Sequence, residues 1–112
     1  KKEEIKEYVS STFGYDLGRT IEEIRPSYHI SANATCQDSV PEAIISFLDS
    51  TDYENAIRLA ISIGGDSDTI ACMTGGIAAA YYGIPDEIVY NAKEYLPDDM
   101  LTIILEFDNH IR

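Results

Sequence analysis

The chain has 112 residues, 45% of them apolar and 25% charged, which suits one globular domain with a core of modest size. Its 20 acidic and 8 basic side chains leave a net charge of −12. That balance argues against a nucleic-acid-binding surface, which needs clustered Lys and Arg, and against docking on anionic lipid. No apolar run approaches the roughly 18–20 residues that cross a bilayer, and Lys1-Lys2-Glu3-Glu4-Ile5 lacks the apolar stretch of a secretory signal. The two cysteines, Cys36 and Cys72, lack CxxC spacing and are too few for a disulfide scaffold, so reduced thiols and a cytoplasmic location are expected.

Nearly every segment reads as helix. Residues 2 to about 12 carry Ile5, Tyr8 and Val9 at helical spacing, and Gly14 stops them. Thr20-Ile21-Glu22-Glu23 has the form of a capping box, opening a short helix that Pro26 ends. Residues 27–37 show no period and hold Ser, Asn and Thr, which predicts a loop. Pro41 suits the first turn of a helix reaching about Asp49, with Ile44, Ile45, Phe47 and Leu48 apolar. Thr51-Asp52-Tyr53-Glu54 reads as a second capping box, and the helix after it puts Ala56, Ile57, Ala60 and Ile61 on one face. The alternation Ile61-Ser62-Ile63 is compatible with a short strand, but Gly64-Gly65 more simply ends the helix.

Residues 69–82 form a helix of unusual content, in which few side chains suit a solvated face. It is expected at the centre of the fold, with Cys72 a buried thiol. Gly75-Gly76 costs about 1 kcal/mol per residue in helix propensity, which predicts a close approach of neighbouring helices. Gly83 ends this helix. Pro85-Asp86-Glu87 and Pro97-Asp98-Asp99 then start two more, with acids at the positive end of the helix dipole, and the last carries Leu101, Ile104, Leu105 and Phe107. No repeat, linker or low-complexity tract appears. The predicted architecture is all-α: one domain over residues 1–112, a compact bundle of six or seven helices around the 69–82 helix.

The most informative stretch is Gly64-Gly65-Asp66-Ser67-Asp68-Thr69. Two glycines turn the backbone, and two carboxylates one residue apart then meet a hydroxyl where the small-residue helix begins. Alternate carboxylates plus a Thr oxygen make the hard-oxygen set that Mg²⁺, Mn²⁺ or Ca²⁺ prefers. A turn can aim Asp66 and Asp68 at one ion, whereas in a regular helix residues two apart do not face each other. Helix capping accounts for one Asp, such as Asp68, but not for Asp66, the paired glycines and the Thr together. Spacing alone leaves both readings open. An EF-hand is excluded because no closing Glu or further oxygen residues follow Thr69. A phosphoryl-transfer DxD would follow a buried strand in an α/β pattern, and a P-loop would need GK[ST].

The run Ala56-Ile57-Arg58-Leu59-Ala60-Ile61-Ser62-Ile63 leading into this motif resembles the C-terminal signature of the ADP-ribosylglycohydrolase family, together with Gly75-Gly76-Ile77-Ala78 and Tyr82-Gly83. That family also includes dinitrogenase-reductase-activating glycohydrolases and a jellyfish lens crystallin. Upstream, Ser39-Val40-Pro41-Glu42-Ala43-Ile44 with Phe47-Leu48 resembles the family's preceding helix. Thr12-Phe13-Gly14-Tyr15-Asp16 with Thr20-Ile21 is similar to bacterial members. The resemblance implies a compact all-α fold and a two-metal centre, usually magnesium and in some members manganese. By that likeness Asp66 and Asp68 are metal ligands and Thr69 a supporting one. Gly64 and Gly65 let the backbone come near the ligand, and Ser39 is a candidate to line the substrate cleft beside a plainer role as a cap-region hydroxyl. The implied activity is hydrolysis of the glycosidic bond between ADP-ribose and a modified side chain or other acceptor.

The likeness covers nearly all of this chain but only the C-terminal portion of a family member. The family's N-terminal acidic motif, Thr-Asp-Asp-Thr-like, has no match: Glu3-Glu4 and Glu22-Glu23 read as solvated helix faces and Asp98-Asp99 as a helix-start pair. No catalytic residue is therefore assigned. The resemblance implies a piece that lacks its N-terminal half, supplied in cis or in trans, and that is inactive alone. Its exposed core surface, at the Gly-rich helix or the helix after Pro41, is expected to allow a homodimer. The competing function is a non-catalytic structural or interaction module of the same fold, with the acidic turn only a cap. Among lesser candidates, Tyr81 and Tyr82 suit adenine stacking or, more plainly, a core with satisfied hydroxyls. His29 lies in the loop and His110 near the end of the chain, and neither is assigned a role.

Overall fold

The computed structural model describes residues 1–25 and 35–111, and every regular element among them is a helix. In chain order these are α1 (Lys2–Phe13), α2 (residues 21–25), α3 (Cys36–Leu48), α4 (Tyr53–Ser62), α5 (Ser67–Tyr82), α6 (Asp86–Lys93) and α7 (Asp98–Ile111). The all-α expectation holds. The stop at Pro26, most of the predicted loop and His29 lie outside the described residues.

The centre of the fold is α3, not α5. Ser39 and every residue from Pro41 to Phe47 are buried, whereas α5 buries only Ile70, Thr74, Gly75 and Ala78. The reason lies in the sequence of α3, which is apolar on all sides through Ala43, Ile44, Ile45 and Phe47 and so must be covered on all sides. The other face of α5 is open: Cys72, Gly76 and Ala80 are exposed, so Cys72 is not the buried thiol expected.

Helices α3, α4 and α5 pack on one another. The Thr74 hydroxyl donates to the Ala43 carbonyl at 3.0 Å, and the Tyr82 hydroxyl donates to the Ser50 carbonyl at 2.9 Å. Both partners advance in the same direction, so α3 and α5 run roughly parallel with α4 returning between them. Gly75 permits the α4–α5 contact: a Cβ there would lie 3.1 Å from Ile57 Cδ1 and 3.3 Å from Tyr53 Oη. Gly76 faces open space, so only one of the two glycines is explained by close approach.

Charged side chains fasten the outer elements to this unit. The Lys2 ammonium donates to the Leu48 carbonyl at 3.4 Å and to the Ser50 carbonyl, at the C-terminal end of α3. It sits 5.1 Å from the ring centres of Phe47 and Tyr82 and 5.8 Å from that of Tyr81, within cation–π range. Tyr82 is thus a core residue with a bonded hydroxyl, while Tyr81 is exposed and packs edge-on against Phe47. Arg19 reaches α3 through Nη2 to Glu42 Oε1 at 2.7 Å. Burial raises the Glu42 carboxyl above its ordinary 4.5, with Arg19 opposing, and its second oxygen, Oε2, is buried without a partner among the described residues.

Helix starts differ from expectation where side chains extend them. α3 begins at Cys36, a turn before Pro41, because Thr35 Oγ1 donates to Asp38 Oδ2 at 3.0 Å and Ser39 Oγ to the Thr35 carbonyl at 2.9 Å. Pro41 therefore lies inside the helix. The cap of α4 is Asp52, whose carboxylate accepts from the Asn55 N–H at 2.7 Å, while Glu54 instead pairs with Arg58 at 2.9 Å. Thr20 caps α2 as predicted, accepting from the Glu23 N–H at 3.2 Å. Gly14 at φ 73° and Gly83 at φ 76° end α1 and α5 in backbone that favours glycine.

Two outcomes follow. Gly76→Ala is expected to raise stability by about 1 kcal/mol through helix propensity, whereas Gly75→Leu is expected to lower it by about 1–3 kcal/mol by wedging α4 from α5; denaturant unfolding compares them. Because the Glu42 pKa is raised on folding, the native state holds that proton more tightly, and stability falls as pH rises from the unfolded value toward the folded one. Glu42→Gln removes that slope, so thermal melts across the range above pH 4.5 should move in the variant's favour as pH rises.

Candidate functional site

The acidic motif forms the reversal between α4 and α5. Gly64 at φ 87° and Gly65 at φ 63° take left-handed backbone in succession, which is why two glycines are needed there. The Gly64 N–H closes α4 on the Ile61 carbonyl at 3.1 Å, and the Ser67 N–H bonds the Gly65 carbonyl at 2.9 Å. Arg25 of α2 braces the last turn of α4, its Nε donating to the Ser62 carbonyl at 3.1 Å and its Nη2 to Ser62 Oγ at 2.8 Å. Nothing in the local pattern of Arg25 announces this bond, which joins residues 37 apart in sequence.

Asp66 stands at the N-cap position of α5, but its side chain makes no capping hydrogen bond. Asp68 lies in the first turn and accepts from the Thr69 N–H at 2.9 Å. A hydrogen bond with the Asp66 carboxyl, followed by that from Thr69, holds the Asp68 carboxyl below its ordinary range. Both aspartates and Thr69 are exposed. The structure therefore brings the two carboxyls together on an open surface at a helix N-terminus, with Thr69 beside them.

Ser39 lies at the same end of the molecule, since α3 and α5 run parallel and the turn precedes α5. Its hydroxyl is buried and committed to the Thr35 carbonyl, the helix-start role. Glu3, Glu22 and Glu23 are exposed on helix faces, Glu4 binds the N-terminal amine at 3.0 Å, and Asp98 and Asp99 occupy the first turn of α7. None of them joins Asp66 and Asp68.

Two carboxylates and a hydroxyl are oxygen donors of the kind Mg²⁺ selects, but an octahedral ion needs more ligands than these. Among the described residues no three His, Cys, Asp or Glu side chains cluster as a metal site would require. The donor set fits one wall of a divalent-cation site rather than a whole one.

A family model described as ADP-ribosylglycohydrolase matches residues 3–108. The chain belongs to the ADP-ribosylglycohydrolase family. It is 46% identical over 48 residues to ADP-ribosylhydrolase ARH3 of Danio rerio, covering 43% of this chain and 11% of that protein. With ADP-ribosylhydrolase ARH3 of Homo sapiens it shares 38% identity over 78 residues, covering 57% of this chain and 22% of that protein. With the Mus musculus protein of that name it shares 41% over 78 residues, 57% of this chain and 21% of the relative. The chain thus spans about a fifth or less of the length of these curated relatives. No solved structure matches it. No helix among the described residues is long and apolar enough to cross a membrane.

The strain of the turn is testable. Gly64→Ala and Gly65→Ala are each expected to lower stability by about 1–2 kcal/mol, and Asn at either position by less, because Asn tolerates left-handed backbone. Equal losses for Ala and Asn in denaturant unfolding would refute the conformational account.

Proposed function

We propose that this chain is the C-terminal, metal-binding portion of a glycohydrolase that cleaves the bond between ADP-ribose and a modified side chain or other acceptor. The supporting observation is the placement of Asp66 and Asp68 at the N-cap and first turn of α5, directly after the Gly64–Gly65 reversal. Two carboxyls this close are disfavoured as a pair of free anions and are relieved by a shared proton or a cation. Family membership and the similarity to ADP-ribosylhydrolase ARH3 point the same way.

In this reading Asp66 and Asp68 bind Mg²⁺, with Mn²⁺ the alternative, and Thr69 supports them. Cations held there would supply orientation of the ribose and activation of a water for attack at its anomeric carbon. The chain's own contribution is positional. Gly64 and Gly65 let the backbone approach, and the N-terminus of α5 offsets negative charge at the turn. Ser39, which fixes the first turn of α3, would border the cleft from the same end. The anionic diphosphate of ADP-ribose can approach a surface this acidic only where such compensation exists. The remaining ligands come from the rest of a family-length chain, in cis or in trans, and the piece alone hydrolyses little. A cytoplasmic setting belongs to the same proposal, as does, for the piece without its other half, a homodimer through the open face of α5; the helix after Pro41 is enclosed and offers no such face.

The second reading is a non-catalytic structural or interaction module. The lack of a three-residue ligand cluster among the described residues favours it, while the absence of a capping hydrogen bond from the Asp66 side chain disfavours a purely capping role.

Thermal melts with Mg²⁺ or Mn²⁺, with and without ADP-ribose, separate the two. A rise in Tm that Asp66→Asn/Asp68→Asn abolishes is expected if the half-site is formed, and no response in either protein favours the module. In a family-length protein bearing the N-terminal acidic motif, either single variant should reduce hydrolysis by roughly 100-fold or more, since even groups that only support metal ligands are worth 10- to 100-fold. Undiminished turnover would sink the ligand assignment.

A further inference from the structure

Helix α7 is 14 residues long and buries none of them. Leu101, Ile104 and Asp108 are half-buried at helical spacing and mark its inner side. Beside them Met100, Ile103, Phe107 and Ile111 are 50%, 63%, 61% and 61% exposed. Their spacing of three, four and four residues is that of a stripe packing along another helix. An exposed apolar stripe of this kind along one helix marks an interaction face.

Three observations bear on what covers it. The family match runs to residue 108, so α7 belongs to the family's domain and is not an appendage. The matches span 11% and 22% of the Danio rerio and Homo sapiens relatives; on the reading proposed above, the rest of a family-length chain would supply the cover. The helix itself is acidic: α7 carries Asp98, Asp99, Glu106 and Asp108 and no Lys or Arg. A second copy of a chain with net charge −12 would bring like charges together there.

We propose that the Met100–Ile103–Phe107–Ile111 stripe seats an amphipathic helix from the remainder of a family-length chain, with Lys or Arg flanking that helix's apolar face. This rests on the reading of the chain as one portion of a longer domain. Electrostatic complementarity steers the partner and the apolar stripe holds it.

The test is titration of the chain with three synthetic peptides: an amphipathic Leu/Lys helix, a scramble of the same composition, and a Leu/Glu helix. Saturable one-to-one binding of the first is expected, with the other two weaker by roughly tenfold or more. Ile103→Asp/Phe107→Asp should cost as much. Those substitutions add negative charge, so attraction by charge alone would instead tighten binding. Ile103→Ser/Phe107→Ser replaces the Asp pair if circular dichroism shows lost helix. Equal binding of the scramble, or binding that survives both variants, overturns the proposal. So does self-association by light scattering that the Asp pair abolishes, which would make a second copy the occupant. Asp66→Asn/Asp68→Asn should bind the Leu/Lys peptide like the parent, which separates failure here from failure of the metal reading.

Discussion

The fold depends on the enclosure of α3. Seven consecutive buried residues on a helix cannot be covered by one neighbour, so α5, α4, the Lys2 end of α1 and the Arg19 loop each take a side. Burial in turn obliges every polar group there to find a partner. Ser46 Oγ donates to the Glu42 carbonyl at 2.9 Å, and Thr74 supplies the Ala43 carbonyl from the neighbouring helix. Glu42 is the exception, half-satisfied by Arg19, and the raised pKa registers that cost. Enclosure also sets direction. With α4 returning between parallel α3 and α5, the glycine reversal must fall at the N-terminal end of α3.

Local chemistry made most helix ends readable. Gly14 and Gly83 stop helices because left-handed backbone favours glycine, and Thr20 caps because its hydroxyl reaches an N–H three residues on. The misplaced starts have local causes too. Thr51 and Asp52 are both good caps, and which one wins depends on whether Asn55 or Glu54 turns inward. The start of α3 was hidden because its extra turn is held by Thr35, Asp38 and Ser39, residue types that equally suit a loop. The centrality of α3 was hidden for another reason. Small residues in α5 suggested burial on all sides, yet a helix of Ala, Gly and Cys can leave one face open, while Glu42 and Ser46 disguised a fully buried helix.

Long-range charge contacts were the least legible. Lys2 follows another lysine and reads as solvated, yet its ammonium lies among three rings and the carbonyls ending α3, up to 48 residues away. Arg25 and Arg19 likewise gave no sign of their partners. The candidate site was more readable because its pattern is dense. Adjacent glycines, alternate carboxylates and a hydroxyl constrain the backbone within six residues, so the turn forms from local sequence alone. What could not be read there is whether other oxygen donors meet these residues, since such groups converge through tertiary structure and not through spacing.

The open surfaces and the acidic turn are connected through α5. Its exposed residues Thr69, Cys72, Gly76 and Ala80 recur three, four and four apart, a groove of small side chains that begins at the Thr beside Asp68. The opposite face of the same helix is fixed to α3 by Thr74 and to α4 by Gly75. An element laid along the open face toward its N-terminal end arrives at Asp66 and Asp68. Small side chains let that element approach closely, and the positive end of the helix dipole meets it there. On the proposed reading, covering that strip and completing a ligand set at the turn would be one packing event. If the chain is one portion of a longer domain, as proposed, a single neighbour laid there would meet both the open helix face and the pair of exposed acids.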